Sequence, residues 1–124
     1  MHYGFPMNKP TATPRYQLRG RIWIEGPEGT FVGYGRVILL ERIREHGSIT
    51  AAAKSMDMSY RHAWKLVDSM NRQSRTPVVS KSTGGRGGGG TQLTPAGEQV
   101  IAAFWAAYED FQGYLDAQSN KLDL

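Results

Sequence analysis

Residues 48–72 read SITAAAKSMDMSYRHAWKLVDSMNR, and the fold is decided there. Ser48 is a good N-cap, because its short side-chain oxygen can accept from the unpaired N–H groups of a helix's first turn. Behind it, Ile49, Ala52, Ala53 and Met56 recur on one face, so the spacing predicts a short helix over 48–56. The alanines leave room for another helix to approach closely. Asp57-Met58 is a tight turn, and Asp tolerates the left-handed backbone that such a turn asks for. Ser59 then caps a further helix, predicted over 59–72. Its inward set is Ala63, Val67 and Met70; its outward set is Tyr60, Arg61, His62, Lys65, Ser69 and Arg72. Trp64 falls on the border of the two faces and is expected to pack, because indole area is usually buried.

The flanks complete the picture. Before this stretch, Leu39, Leu40 and Ile43, widened by Val37 and Ile38, predict a helix over 36–46 that Gly47 ends. Earlier still, Tyr16, Leu18, Ile22 and Ile24 alternate with Gln17, Arg19, Arg21 and Trp23. That reads as a half-buried strand with Gly20 as a candidate bulge. Gly26-Pro27-Glu28-Gly29 turns it back into Thr30-Phe31-Val32, making a hairpin over 15–32. Residues 1–14, with three prolines, read as a flexible arm. After the core stretch, Pro77 ends the helical region, and residues 78–82 and 91–93 are strand-like around the run 84–90. Thr94 caps a last helix with Pro95 in its first turn, predicted over 95–117, followed by a tail over 119–124. Ile101, Phe104, Trp105, Tyr108, Phe111 and Leu115 form its apolar stripe. At 1.5 Å per residue this helix is roughly 35 Å long, longer than the small core beneath it covers. Part of the stripe is therefore expected to form a dimer interface.

The expected fold is mainly α with a small β content: one domain over 15–118, a winged helix-turn-helix with an N-terminal β-hairpin and a long C-terminal dimerisation helix. At 124 residues and 13.8 kDa the chain has room for one ordinary domain. It has no Cys, which excludes a disulfide scaffold, a thiol nucleophile and a thiolate metal site. No apolar run approaches the roughly 18–20 residues that cross a bilayer, and no secretory signal is seen, so no membrane partner and a cytoplasmic location are expected.

Charge is unevenly placed. Residues 36–91 carry ten basic side chains against four acidic ones, whereas residues 92–124 carry Lys121 against five acidic ones. A basic middle suggests a polyanion partner. B-DNA's major groove admits one α-helix, whose first turn meets the base edges. Ser59, Tyr60, Arg61, His62 and Lys65 can donate or stack there, and Ser48 with the first turn of its helix can meet a phosphate. The strands over 78–93 read as a wing, with Lys81, Thr83, Arg86 and Thr91 toward the DNA backbone and glycines that let the main chain come close.

Competing chemistries fare worse. Gly85, Gly87 and Gly90 fit the spacing of a dinucleotide fingerprint, as any glycine run does, but Thr91-Gln92-Leu93 follows rather than a helix, and no P-loop lysine is present. His2, His46 and His62 are far apart, without a carboxylate at ligand spacing, so no metal is expected. No catalytic set stands out, no cofactor is expected and the chain is not expected to be an enzyme. The alternative to DNA binding is a protein–protein interaction module that uses the aromatic face of the last helix.

The segments LLERIREHGSITAAAKSMDMSYRHAWKLVDSMN and STGGRGGGGTQLTPAGE, within residues 37–98, resemble the winged helix-turn-helix domain of LysR-type regulators. More closely, they resemble the N-terminal domain of the molybdate-dependent ModE regulators. The match covers about half of the chain by motif and nearly all of 15–118 by element order. The resemblance implies a dimeric, DNA-binding transcriptional regulator, with a recognition helix that begins at Ser59 and a long final helix that pairs subunits. In that family the oxyanion-binding domains follow the last helix. Since this sequence ends at Leu124, molybdate or another oxyanion is not expected on this chain.

Overall fold

A computed structural model gives the structure of the chain and describes residues 14–82 and 90–124. The expected arm, apart from Pro14, and wing residues Thr83 and Arg86, with the glycines up to Gly89, lie outside the described residues. The elements in order are β1 (Ile24–Gly26), β2 (Gly29–Val32), α1 (Tyr34–His46), α2 (Ile49–Ser55), α3 (Tyr60–Gln73), β3 (Val79–Ser82), β4 (Gly90–Leu93) and α4 (Pro95–Ser119). They form two compact units, Trp23–Phe104 and a second made of residues 14–22 with Trp105–Leu124. No described helix is long and apolar enough to cross a membrane.

In the first unit, the inward sets meet in one core. Val37, Leu39, Leu40 and Ile43 of α1, Ile49, Ala52 and Ala53 of α2, and Ala63, Val67 and Met70 of α3 are all buried, with Val32, Val78, Val79, Ile101 and Phe104. The caps fall where the side chains ask for them. Ser48 Oγ accepts from the Ala51 N–H at 3.0 Å, and Ser59 Oγ accepts from the His62 N–H at 3.1 Å. Asp57 takes a left-handed conformation, φ 57°, between α2 and α3.

The residues LTPAGE have a physical rationale at the start of α4. Thr94 Oγ1 accepts from the Gly97 N–H at 3.1 Å and its hydroxyl donates to the Pro77 carbonyl at 2.6 Å. Pro95 sits at the first helical position, where a missing N–H costs nothing. A Cβ on Gly97 would stand 2.5 Å from both the Val78 carbonyl oxygen and Leu93 Cδ1, so only glycine lets the helix lie this close to the strands. Glu98 pairs with Arg44 at 2.6 Å.

Three expectations are corrected. The N-terminal hairpin is shorter than 15–32: pairing begins at Ile24, opposite Val32, because β2 ends at Val32 and Gly33 caps α1, which leaves no strand partner for residues 14–22. The irregularity in this hairpin lies between Ile24 and Glu25, not at Gly20. Residues 14–22 instead run unpaired in the second unit along α4. There the Leu18 N–H donates to Ser119 Oγ at 2.7 Å, and Gly20 abuts the Phe111 ring. The alternation of residues 16–24 therefore marks an extended segment, not a strand. Trp64 is the third correction and belongs to the site below.

The stripe of α4 is largely covered within one chain. Ile101, Phe104, Trp105 and Leu115 are buried, and Tyr108 and Phe111 are half-buried. Trp105 and Tyr108 meet edge to face, with ring centroids 5.3 Å apart.

Candidate nucleic-acid interface

Polar side chains fix the frame that holds α3. Asn71 Oδ1 accepts from the N–H groups of Val78 and Val79 at 2.8 and 3.2 Å, and its Nδ2 donates to the Val79 carbonyl at 3.1 Å. This ties the end of α3 to the start of β3. Gln73 Nε2 donates to the Thr30 carbonyl at 2.9 Å and its Oε1 accepts from the Glu28 N–H at 3.1 Å, which ties α3 to the N-terminal hairpin. Arg36 Nη1 donates to the carbonyls of Thr30 and Phe31 and to Ser69 Oγ at 2.9–3.2 Å. Burial pushes its guanidinium pKa down from the ordinary value, but an arginine stays charged throughout the working range.

The wing is anchored at its root. β3 and β4 pair antiparallel in the register Val79↔Leu93, Ser80↔Gln92, Lys81↔Thr91 and Ser82↔Gly90. Gly47 closes α1 in a left-handed conformation, φ 74°, that favours glycine. Its carbonyl accepts from the Thr91 N–H at 2.9 Å. The helix-turn-helix and the wing are thereby joined backbone to backbone.

On this frame the basic side chains divide into two groups. Arg36, Arg42, Arg44 and Arg72 are engaged inside the unit: Arg42 with Ser55, Arg44 with Glu98, and Arg72 with Glu28 and Asp68. The hydrogen bond to Glu28, then the charges of Asp68 and Glu28, raise the pKa of the Arg72 guanidinium. Arg61, Lys65 and Lys81 are exposed, with no hydrogen-bond or ion-pair partner among the described residues. His62 is exposed beside them, and Tyr60 is 51% exposed. Ser48 is half-buried and Ser59 exposed. Each uses an oxygen lone pair as a cap, which leaves the hydroxyl free to donate.

Two expectations at the site need revision. Trp64, expected to pack, is 47% exposed. It stands one turn beyond Tyr60 on the flank of α3 that faces the wing, where the core has no place for it. With Tyr60 and Val67 it forms one side of an open groove of about 390 Å³, and Lys81, Ser82 and Thr91 form the other. The signal was in the helical spacing, since residues 60, 61, 64 and 65 share one side; the general tendency of indole to be buried obscured it. Thr91 is the other: its hydroxyl is buried without a hydrogen-bond partner among the described residues. What Thr91 supplies at this site is the backbone tie to Gly47. Among the described residues, no three His, Asp or Glu side chains cluster to hold a metal.

Comparison with known proteins agrees with this geometry. Residues 36–98 match the family described as bacterial regulatory helix-turn-helix protein, lysR family. The chain is 40% identical over 103 residues to the molybdenum transport protein ModE of Azotobacter vinelandii, covering 83% of this chain and 38% of that protein. It is 43% identical over 96 residues to the molybdenum-pterin-binding protein MopB of Rhodobacter capsulatus, covering 77% of this chain and 36% of that one. Over 69 residues it is 41% identical to the DNA-binding transcriptional dual regulator ModE of Escherichia coli K12, covering 56% of this chain and 26% of the relative. The chain thus spans well under half the length of these relatives. The matched stretch runs from the first residues of α1 through the wing into α4, and the chain belongs to the LysR family of bacterial regulatory helix-turn-helix proteins, a regulatory and not an enzymatic family.

Proposed function

We propose that this chain is the DNA-binding part of a cytoplasmic transcriptional regulator that reads duplex DNA as a homodimer. One observation carries the reading: the outer face of α3 presents the side chains of Tyr60, Arg61, His62 and Lys65 to solvent without partners among the described residues, while the other arginines of α1 and α3 are engaged. An unpaired cationic helix face beside a β-hairpin suits the major groove, where arginine and lysine donate to base edges and phosphates. In this reading Arg61 and His62 meet base edges, and Ser48, Ser59, Lys65 and Lys81 meet phosphates. Thr83 and Arg86, which lie outside the described residues, are proposed as contacts to the flanking DNA backbone.

Dimerisation is proposed through α4. Its 25 residues expose Ala102, Ala103, Ala106 and Ala107, small enough for a second helix to approach closely, and the larger Tyr114, beside half-buried Tyr108 and Phe111. The alternative, an interaction module working through the aromatic stripe, is less well supported, because four of the six stripe residues are buried within the single chain. The named link of two relatives to molybdenum suggests a regulator that answers to molybdenum, with no oxyanion site proposed on these residues.

Fluorescence anisotropy with a mixed-sequence duplex at low salt, followed by selection from a random duplex pool, tests the proposal. Binding and a two-fold symmetric selected site are expected. No binding at low salt overturns the DNA reading, and a selected motif without symmetry overturns the dimer.

A further inference from the structure

A helix in the major groove and a hairpin on the flanking minor groove cannot both engage DNA without something between them. The two grooves are separated by one sugar-phosphate strand, and that strand has to pass between the helix and the hairpin. The groove of about 390 Å³ between α3 and the wing occupies this place. Its two sides have different chemistry. Tyr60 and Trp64 line it from α3 with aromatic residues, while Ser80, Lys81 and Ser82 line it from β3 with polar and cationic ones.

A DNA strand has the matching alternation. Deoxyribose is an apolar, nearly flat surface, and the phosphates beside it are anionic acceptors. An indole left nearly half exposed forgoes the gain of removing apolar area from water. Trp64 has no hydrogen-bond partner among the described residues, and it stands among Arg61, Lys65 and Lys81, whose charges no described carboxylate balances. Surroundings of that charge favour an anionic chain as the occupant over a second apolar protein surface.

We propose that Trp64 is a DNA contact: its indole packs on a deoxyribose of the strand seated between α3 and the wing, with Lys81 and Ser82 on the adjoining phosphate. The inference rests on the DNA-binding reading above and adds a contact that is apolar and indifferent to sequence.

The test compares the parent chain with Trp64→Ala and Trp64→Phe on two duplexes, one recovered by selection and one scrambled, across a series of salt concentrations. Trp64→Ala is expected to bind both duplexes about tenfold more weakly. The salt dependence should stay unchanged, because no phosphate contact is lost. Trp64→Phe, which keeps a flat apolar ring, should recover most of the loss.

If the parent binds neither duplex, the DNA reading falls and this inference with it. If the parent binds and Trp64→Ala matches it, the inference alone is overturned. A loss confined to the selected duplex would assign Trp64 to a base and overturn the sugar contact, as would a flattened salt dependence.

A measurement that leaves residue 64 intact guards against misfolding. In a Trp23→Phe chain, Trp105 is buried and Trp64 is the one exposed tryptophan. Adding the mixed-sequence duplex should shield its fluorescence from acrylamide, and unchanged quenching overturns the inference.

Discussion

Replacing Gly97 by alanine adds a single methyl group at the point where α4 lies against the wing's root. That methyl would stand 2.5 Å from the Val78 carbonyl oxygen and 2.5 Å from Leu93 Cδ1. Ordinary contact begins near 3.4 Å, so something must move by about 0.9 Å. Leu93 can rotate part of the way. The Val78 oxygen cannot move freely, because it belongs to the main chain and accepts from the Thr94 N–H at 3.0 Å. Overpacking of this kind costs about 1–3 kcal/mol, and weakening the Thr94 bond adds about 1. Alanine's better helix propensity returns about 1 kcal/mol. The net loss is therefore about 1–3 kcal/mol, which for a chain of this length lowers the melting temperature by roughly 3–15 °C. Thermal unfolding followed by circular dichroism measures it. Gly113→Ala is the control, since Gly113 is exposed on the same helix with nothing within 4 Å of the new methyl; it should raise stability by up to about 1 kcal/mol. A Gly97→Ala chain that melts at or above the parent temperature refutes the reasoning.

Other expectations follow from particular contacts. Asn71→Ala removes three hydrogen bonds and strands the N–H groups of Val78 and Val79; a loss of about 2–3 kcal/mol is expected in urea unfolding. Asp57→Gly relieves a left-handed residue at φ 57° and should raise the denaturation midpoint, by up to about 1 kcal/mol in stability, whereas Asp57→Val should lower it. Arg61→Ala should narrow the difference in affinity between a selected duplex and a scrambled one. Lys81→Ala should weaken both alike and reduce the salt slope by about one; equal slopes for Lys81→Ala and the parent would count against a phosphate contact there.

Much of the helical core was legible in the sequence because its signals are local. The caps at Ser48, Ser59 and Thr94 act over three residues, and the inward sets of α1, α2 and α3 recur at helical spacing. The left-handed turn at Asp57 was legible for the same reason. What escaped depends on residues distant in the chain. Alternation over residues 16–24 describes any extended segment, and only the shortness of β2 and the presence of α4 decide that residues 14–22 stay unpaired. The length of α4 suggested an uncovered stripe, but the chain's own residues 14–22 meet part of it. Gln73 reaches back to Thr30 across 43 positions, a polar tie that leaves no periodic trace. Trp64 is exposed because the wing, not the core, lies opposite it, and residue type alone cannot say which of two neighbours a border residue will face.

Gly47 does two jobs with one peptide plane. The same left-handed twist that halts α1 turns its carbonyl outward, and that oxygen is where β4 is moored. The spacing between the α1–α2 corner and the hairpin is thus set like the opening of a calliper, at its pivot. A substitution there that continued the helix would swing the oxygen back along the axis and let the hairpin drift. On the DNA-binding reading proposed above, the breadth of duplex that could be straddled would change, with every residue proposed to face it left as it was.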